Sequence, residues 1–200
     1  MSAGRTLPPA AVQQLIARAQ AGDAAAFGQL YEAHVEAVFG YVVYRVQDPA
    51  VAEDLTQDIF LSALRALPRF RWQGSFAPWL LRCAHNRVVN HWRSLGRRAP
   101  EQSVDALDDD GRPLITLVDE AAAESLATLE RVDAPQLGRA LATLTALQQQ
   151  VVALRFGAGL SLLETAQAME RSENAIKNLQ HHALAKLRRA LQAAALEGAA

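Results

Sequence analysis

Apolar residues recur at three- and four-residue steps along most of this chain, and helix-capping residues cut the recurrence into segments. Val12, Leu15 and Ile16 make the first segment, which Gly22 stops. Asp23 is a good N-cap for the second, where Phe27, Leu30, Tyr31, His34, Val38 and Tyr41 run on to about Val46. Asp48 caps the third, and Pro49 takes the first helical position, where a missing N–H costs nothing. That helix runs to about Leu67 and ends at Pro68. Ser75 can cap a fourth, from Phe76 to about Leu95, with Pro78 tolerated in its first turn. After Asp133-Ala134-Pro135 the pattern returns with Leu137, Leu141 and Leu144. Thr145 with Gln148 forms a capping box opening Ala146–Phe156, and Gly157 and Gly159 break that helix. Ser161 with Glu164 forms a second box, for a helix to about Met169, and Ser172 caps a last helix to about Ala195. No stretch alternates as a strand does, so the expected fold class is all-α.

Charge divides the chain. Residues 1–95 carry nine Arg and seven acids; residues 96–135, four Arg and ten acids; residues 136–200, seven Lys or Arg and four acids. Two mildly basic blocks therefore flank an acidic one, in which periodicity fades around Asp108-Asp109-Asp110-Gly111 and leaves at most a short helix near Glu120–Arg131. The expected organisation is a tail and short helix over 1–21, a helical bundle over 22–95, a flexible acidic linker over 96–135 and a helix-turn-helix domain over 136–195. The single cysteine, Cys83, allows no internal disulfide and fits a reducing compartment. With no apolar run of membrane-spanning length and no signal-peptide layout at the N-terminus, the expected location is cytoplasmic.

Three stretches carry possible chemistry. From Ile59 to Pro100 there is no Asp or Glu, but there are eight arginines and all three tryptophans, Trp72, Trp79 and Trp92, with Phe60, Phe70 and Phe76 among them. Arginines balance phosphate charge and aromatic rings stack on unpaired bases, so single-strand binding fits; so does a helical bundle with an aromatic core and a basic outer face. Asp54, Gln57, Asp58 and Leu61 share one side of their helix, opposite Leu55, Ile59, Phe60, Ala63 and Leu67, and form either a solvated face or a docking ridge. Residues 161–191 read as helix, tight turn at Glu170-Arg171-Ser172, and longer helix. On the longer helix Asn174, Lys177, Asn178, His181 and His182 share a face that suits base edges and phosphates, or simply water, while Ile176, Leu179, Ala183, Leu187 and Ala190 are expected in the core. Catalytic readings find little: no HExxH, no phosphate-binding glycine loop and no CxxC is present, and the adjacent His181 and His182 do not converge on one ion. Cys83, among apolar neighbours, reads as a packed thiol.

Taken in order, these pieces resemble bacterial RNA polymerase sigma factors of the extracytoplasmic-function (ECF) type, in the sigma-70 family. The resemblance covers about residues 22–95 and 136–191. It rests on Gly22-Asp23-Ala24-Ala25-Ala26-Phe27 with Leu30-Tyr31; on Ala52-Glu53-Asp54-Leu55-Thr56-Gln57-Asp58-Ile59-Phe60; on Phe76, Trp79-Leu80, Asn86 and Arg93; and on Leu154-Arg155-Phe156, Gly159-Leu160-Ser161 and Glu164-Thr165-Ala166.

The resemblance implies roles. Asp54, Gln57, Asp58 and Leu61 match the helix that docks on the clamp of the polymerase's largest subunit. The loop from Arg69 to Ser75, with Phe70, Arg71, Trp72 and Gln73, matches the one that captures a flipped base of the promoter −10 element. Trp79, Arg82, Asn86 and Arg87 lie on the helix that supports strand separation. Ser172, Asn174, Lys177, Asn178, His181 and His182 lie on the helix matching the −35 reader. The acidic linker resembles the segment threading the RNA-exit path, or is a soluble tether. Core RNA polymerase, promoter DNA and an anti-sigma factor are the implied partners, with no cofactor and no catalysis. Leu179-Gln180 stands where many relatives have Arg-Leu, His182 where many have Arg, and Asn90 where many have Asp, leaving −35 preference open. A stand-alone helix-turn-helix regulator binding duplex DNA as a dimer is the competing reading, and would leave residues 59–100 without a purpose.

Overall fold

The caps expected from sequence set where the helices begin. In the computed structural model, which describes residues 7–72, 74–96 and 134–197, α1 (Pro9–Gln20) starts on Pro8 in extended conformation with Pro9 at its first position. Asp23 opens α2 (Ala24–Val46) by accepting from the Ala26 N–H at 3.1 Å, while the Arg18 guanidinium holds its other oxygen at 2.9 Å. That hydrogen bond is the main reason the Asp23 carboxyl sits below its usual range. Gln47 closes α2 in the left-handed region (φ 58°). Asp48 then accepts from the Ala50 and Val51 N–H groups, opening α3 (Pro49–Ala66). A 3-10 turn over Leu67–Arg69 follows, and α4 runs over Ala77–Ser94. In the C-terminal part come α5 (Ala134–Ala142), α6 (Ala146–Val152), a π-type turn (Ala153–Gly157), α7 (Leu162–Met169) and α8 (Glu173–Glu197). No strand occurs among the described residues. Both capping boxes form: Thr145 with Gln148, and Ser161 with Glu164.

Two expectations are corrected. Ser75 does not cap α4. The N-cap is Phe76, without a side-chain bond, and the Ser75 hydroxyl donates instead to Glu164 Oε1 at 3.3 Å. The helix read over Ala146–Phe156 is α-helical only to Val152, then widens so that the Ala158 N–H reaches the Ala153 carbonyl and the Leu160 N–H that of Leu154.

The backbone gathers into two compact units. One holds described residues up to 96 together with 153–170; the other holds 134–152 and 171–197. Leu154, Leu160 and Ala168 bury themselves in the core of the first unit, and hydrophobic burial outweighs sequence proximity.

That first core is built around α2, against which α1, α3, α4 and the π-type turn all pack. Leu30, Val38, Tyr41 and Val42 are fully enclosed. Gly40 permits the closest approach: a Cβ there would lie 2.1 Å from the Gly157 carbonyl oxygen. The second unit packs α5 and α6 on α8 around Leu141, Leu144, Val151, Ile176, Ala183 and Leu187.

The Tyr41 hydroxyl shares a 3.2 Å hydrogen bond with His85 Nδ1 inside the first core. Burial pushes Tyr41 up to about 12 and His85 down to about 4, the Arg45 charge adding to the second effect. His85 is therefore neutral at pH 7. As pH falls below the ordinary histidine value of 6.5, the unfolded chain takes up a proton that the folded chain refuses until about 4. The stability is full above 6.5 and is lost progressively down to about 4. His34, lowered by burial as well, adds to the same slope. Urea unfolding near pH 5 should show about 2 kcal/mol less stability from His85 than at neutral pH, and His85→Gln should flatten that part of the dependence.

Candidate nucleic-acid interface and docking ridge

Helix α3 presents the first surface. Its inner face buries Ala52, Leu55, Thr56, Ile59, Phe60 and Ala63, which fixes the opposite face outward. Asp54 and Gln57 are exposed, and Leu61 is 53% exposed. Asp58 is half-buried and ion-paired with Arg87 of α4. Leu64, one turn beyond Leu61 and 42% exposed, extends the ridge and was missed in the sequence. Its three-residue step from Leu61 was the available signal.

The second surface is the loop after α3 together with α4. Phe70 and Phe76 are buried and meet edge-on at 5.5 Å between ring centres; Trp79 lies 4.9 Å from Phe70 and 5.3 Å from Phe76, and the His34 ring 5.3 Å from Phe76. Phe70 is only 7% exposed, so it anchors the loop and offers no free face for a base. Trp72 and Trp79 are half-buried, while Arg69, Arg71 and Asn86 are exposed. The basic side chains differ in their company. Arg82 is ion-paired with Glu170 and Arg87 with Asp58, whereas Arg71 reaches only the Phe70 carbonyl, at 3.4 Å. Cys83 is half-buried with its thiol pushed up by burial, which disfavours a reactive thiolate. Gln73 and residues 97–133, which take in nearly all of the acidic linker expected over 96–135, lie outside the described residues.

One support of this loop had no sequence signal. The Gln20 amide, at the end of α1, donates to both the Leu67 carbonyl (2.9 Å) and the Phe70 carbonyl (3.0 Å). A polar residue on the last turn of a short helix looks like any solvated glutamine until the tertiary fold brings two open carbonyls to it.

The third surface is the start of α8. Ser172 accepts from the Ala175 N–H at 3.3 Å. Ser172, Asn174, Lys177 and His181 are exposed, and Asn178 and His182 are half-buried. The core face departs from expectation: Gln180 and Leu184 are buried, while Leu179 and Ala190 are only half-buried. Ile176, Ala183 and Leu187 set the inward direction, and Gln180 follows them by its helical spacing whatever its polarity. The polar face keeps its composition, and the apolar Leu179 is half-buried beside it.

Phe70→Ala should lower the unfolding free energy by about 3–5 kcal/mol, because it hollows the aromatic cluster. Arg71→Ala should stay within about 0.5 kcal/mol. Urea titration of both variants checks the division between support and surface.

The family model for Sigma-70 region 2 matches residues 30–98, and that for Sigma-70, region 4 matches residues 140–189. The first span holds the α3 ridge and the α4 surface; the second holds the start of α8. The ECF RNA polymerase sigma factor BldN of Streptomyces coelicolor is 39% identical over 183 residues, 91% of this chain and 66% of that protein. The RNA polymerase sigma-H factor of Pseudomonas aeruginosa is 41% identical over 96 residues, 48% of this chain and 50% of that protein. The chain thus spans about half to two thirds of the length of these relatives. Among solved structures, CnrH in complex with the cytosolic domain of CnrY superposes with a TM-score of 0.62 at 26% identity, covering 92% of this chain and 98% of that one.

Proposed function

The chain belongs to the sigma-70 family of RNA polymerase sigma factors, in its ECF group, and from that premise we propose that it is a transcription initiation subunit that brings core RNA polymerase to promoters. Asp54, Gln57, Asp58 and Leu61, with Leu64, dock on the polymerase. Arg69, Arg71, Trp72 and Gln73 capture the opened −10 strand, with Trp79, Arg82, Asn86 and Arg87 supporting its separation and Phe70 holding the loop from inside. Ser172, Asn174, Lys177, Asn178, His181 and His182 read the −35 duplex. The protein acts without catalysis of its own and in the cytoplasm, where its polymerase is; no described helix is long and apolar enough to cross a membrane. Control by an anti-sigma partner is part of the reading, and the similar CnrH is seen bound to the cytosolic domain of CnrY.

The observation that carries this reading is the second surface. A basic helix without a single acid between Ala77 and Ser94 stands beside part-exposed tryptophans on a rigid aromatic floor. Arginines draw the phosphates and the rings stack on bases, so the free energy of opening a base step is offset at that spot. A regulator of duplex DNA alone has no use for it.

Run-off transcription with purified core polymerase on pooled promoter fragments should yield new transcripts only when this chain is present. Truncating two docking side chains costs about 2 kcal/mol or more, so Asp54→Ala/Gln57→Ala should cut those transcripts by about thirty-fold. Unchanged transcript levels would remove the docking assignment.

A further inference from the structure

We infer that Gln20 is a positioning residue for promoter opening: its side-chain amide sets the course of the loop that carries Arg69, Arg71 and Trp72, and through them the capture of the separated strand. The inference deepens the −10 role proposed above for that loop and rests on it. Helix α1 lies outside residues 30–98, the span matched by the Sigma-70 region 2 model. One nitrogen of α1, Gln20 Nε2, has two hydrogens and finds two acceptors: the Leu67 carbonyl at 2.9 Å and the Phe70 carbonyl at 3.0 Å. These carbonyls bracket the 3-10 turn Leu67–Arg69, so Arg69 lies inside the tied span, and Arg71 and Trp72 follow it directly. The Arg71 guanidinium reaches the same Phe70 carbonyl, at 3.4 Å. One oxygen is thus shared between the tie and a side chain assigned to the strand.

The amide acts from a fixed point. Val12, Leu15 and Ile16 bury α1 in the core of the first unit. Just past Gln20 the chain turns at Gly22 (φ 95°), and Arg18 clasps Asp23 across that turn at 2.9 Å while Asp23 caps α2. The end of α1 is therefore held from both sides. The loop is held from within by Leu67 and by Phe70, whose ring packs on Phe76 and Trp79. The Leu67 carbonyl already accepts the Phe70 N–H at 2.9 Å, so the turn closes without help. What Gln20 adds is orientation. Two buried side chains fix how deep the segment sits, and the amide fixes which way its peptide planes face. The directions in which Arg69 and Arg71 leave the main chain follow from those planes.

Gln20→Met keeps the length of the side chain and removes both donors; Gln14→Met, exposed on the same helix, is the control. The probe is a fluorescein-labelled oligonucleotide carrying the non-template −10 strand of a promoter found by run-off transcription, bound to holoenzyme and followed by anisotropy. Gln20→Met should weaken that binding about ten-fold, with its affinity for core polymerase unchanged and Gln14→Met matching the unaltered chain. In the free chain, amide hydrogen exchange of the peptide over 67–72 should quicken by a similar factor, while peptides of α3 and α4 keep their rates. Strand affinity and loop exchange equal to those of the unaltered chain would overturn the inference. An equal loss of affinity for core polymerase would overturn it as well, because it marks a general change of fold. Arg69→Ala/Arg71→Ala separates the two questions: strand binding as tight as that of the unaltered chain removes the −10 role, and the exchange rate alone then decides whether Gln20 sets the loop.

Discussion

The first unit depends on one helix whose second half, residues 37–46, has no exposed residue. An α-helix in a small domain normally keeps a wet face, but α2 is packed by α1, α3, α4 and the turn before α7. Its middle carries Val38, Tyr41 and Val42 at full burial, with Gly40 where another backbone passes too close for any side chain. The Tyr41 hydroxyl sunk there is satisfied by a histidine that burial keeps neutral. With α2 held on so many sides, α3 and α4 have fixed inner faces, and their outer faces are free to be charged.

How charge is distributed on those outer faces follows from what is missing locally. No acid lies on α4, so its arginines find partners only from other elements: Asp58 from α3 for Arg87, Glu170 after α7 for Arg82. Such exposed pairs contribute little to stability and are readily exchanged for a phosphate. The aromatic residues do the opposite. Phe70 and Phe76 are enclosed and rigid, and only the tryptophans beside them reach the surface. Stiffness comes from the rings and adaptability from the guanidinium groups.

Much of this was legible in the sequence because it is written locally. Asp23, Asp48-Pro49, Ser161 with Glu164 and Ser172 announce their helices through bonds that span no more than four residues, and each forms. The α3 ridge follows from periodicity alone. What was not legible depends on partners distant along the chain. Ser75 looked like a cap until Glu164, 89 residues away, took its hydroxyl. Phe70 read as a stacking platform because composition does not say which rings a core will enclose. Leu179 read as core because its apolarity was weighed above helical phase, and the packing of Ile176, Ala183 and Leu187 sets the phase. The compact unit that takes in residues 153–170 was invisible for the same reason: Leu154, Leu160 and Ala168 join a core built by distant residues, and two glycines 117 positions apart permit the close approach.

The amide of Gln20 bears on how a loop is made ready. The backbone from Leu67 to Phe70 would otherwise keep two carbonyls turned to water and a range of conformations to lose on meeting a strand. With both carbonyls tied to α1, most of that entropy has already been given up in folding, and less is charged against the encounter. The N-terminal helix thus holds none of the side chains assigned to polymerase or promoter, yet it sets the conformational freedom of the loop proposed to receive the base. The readiness of that loop is set from a helix outside it.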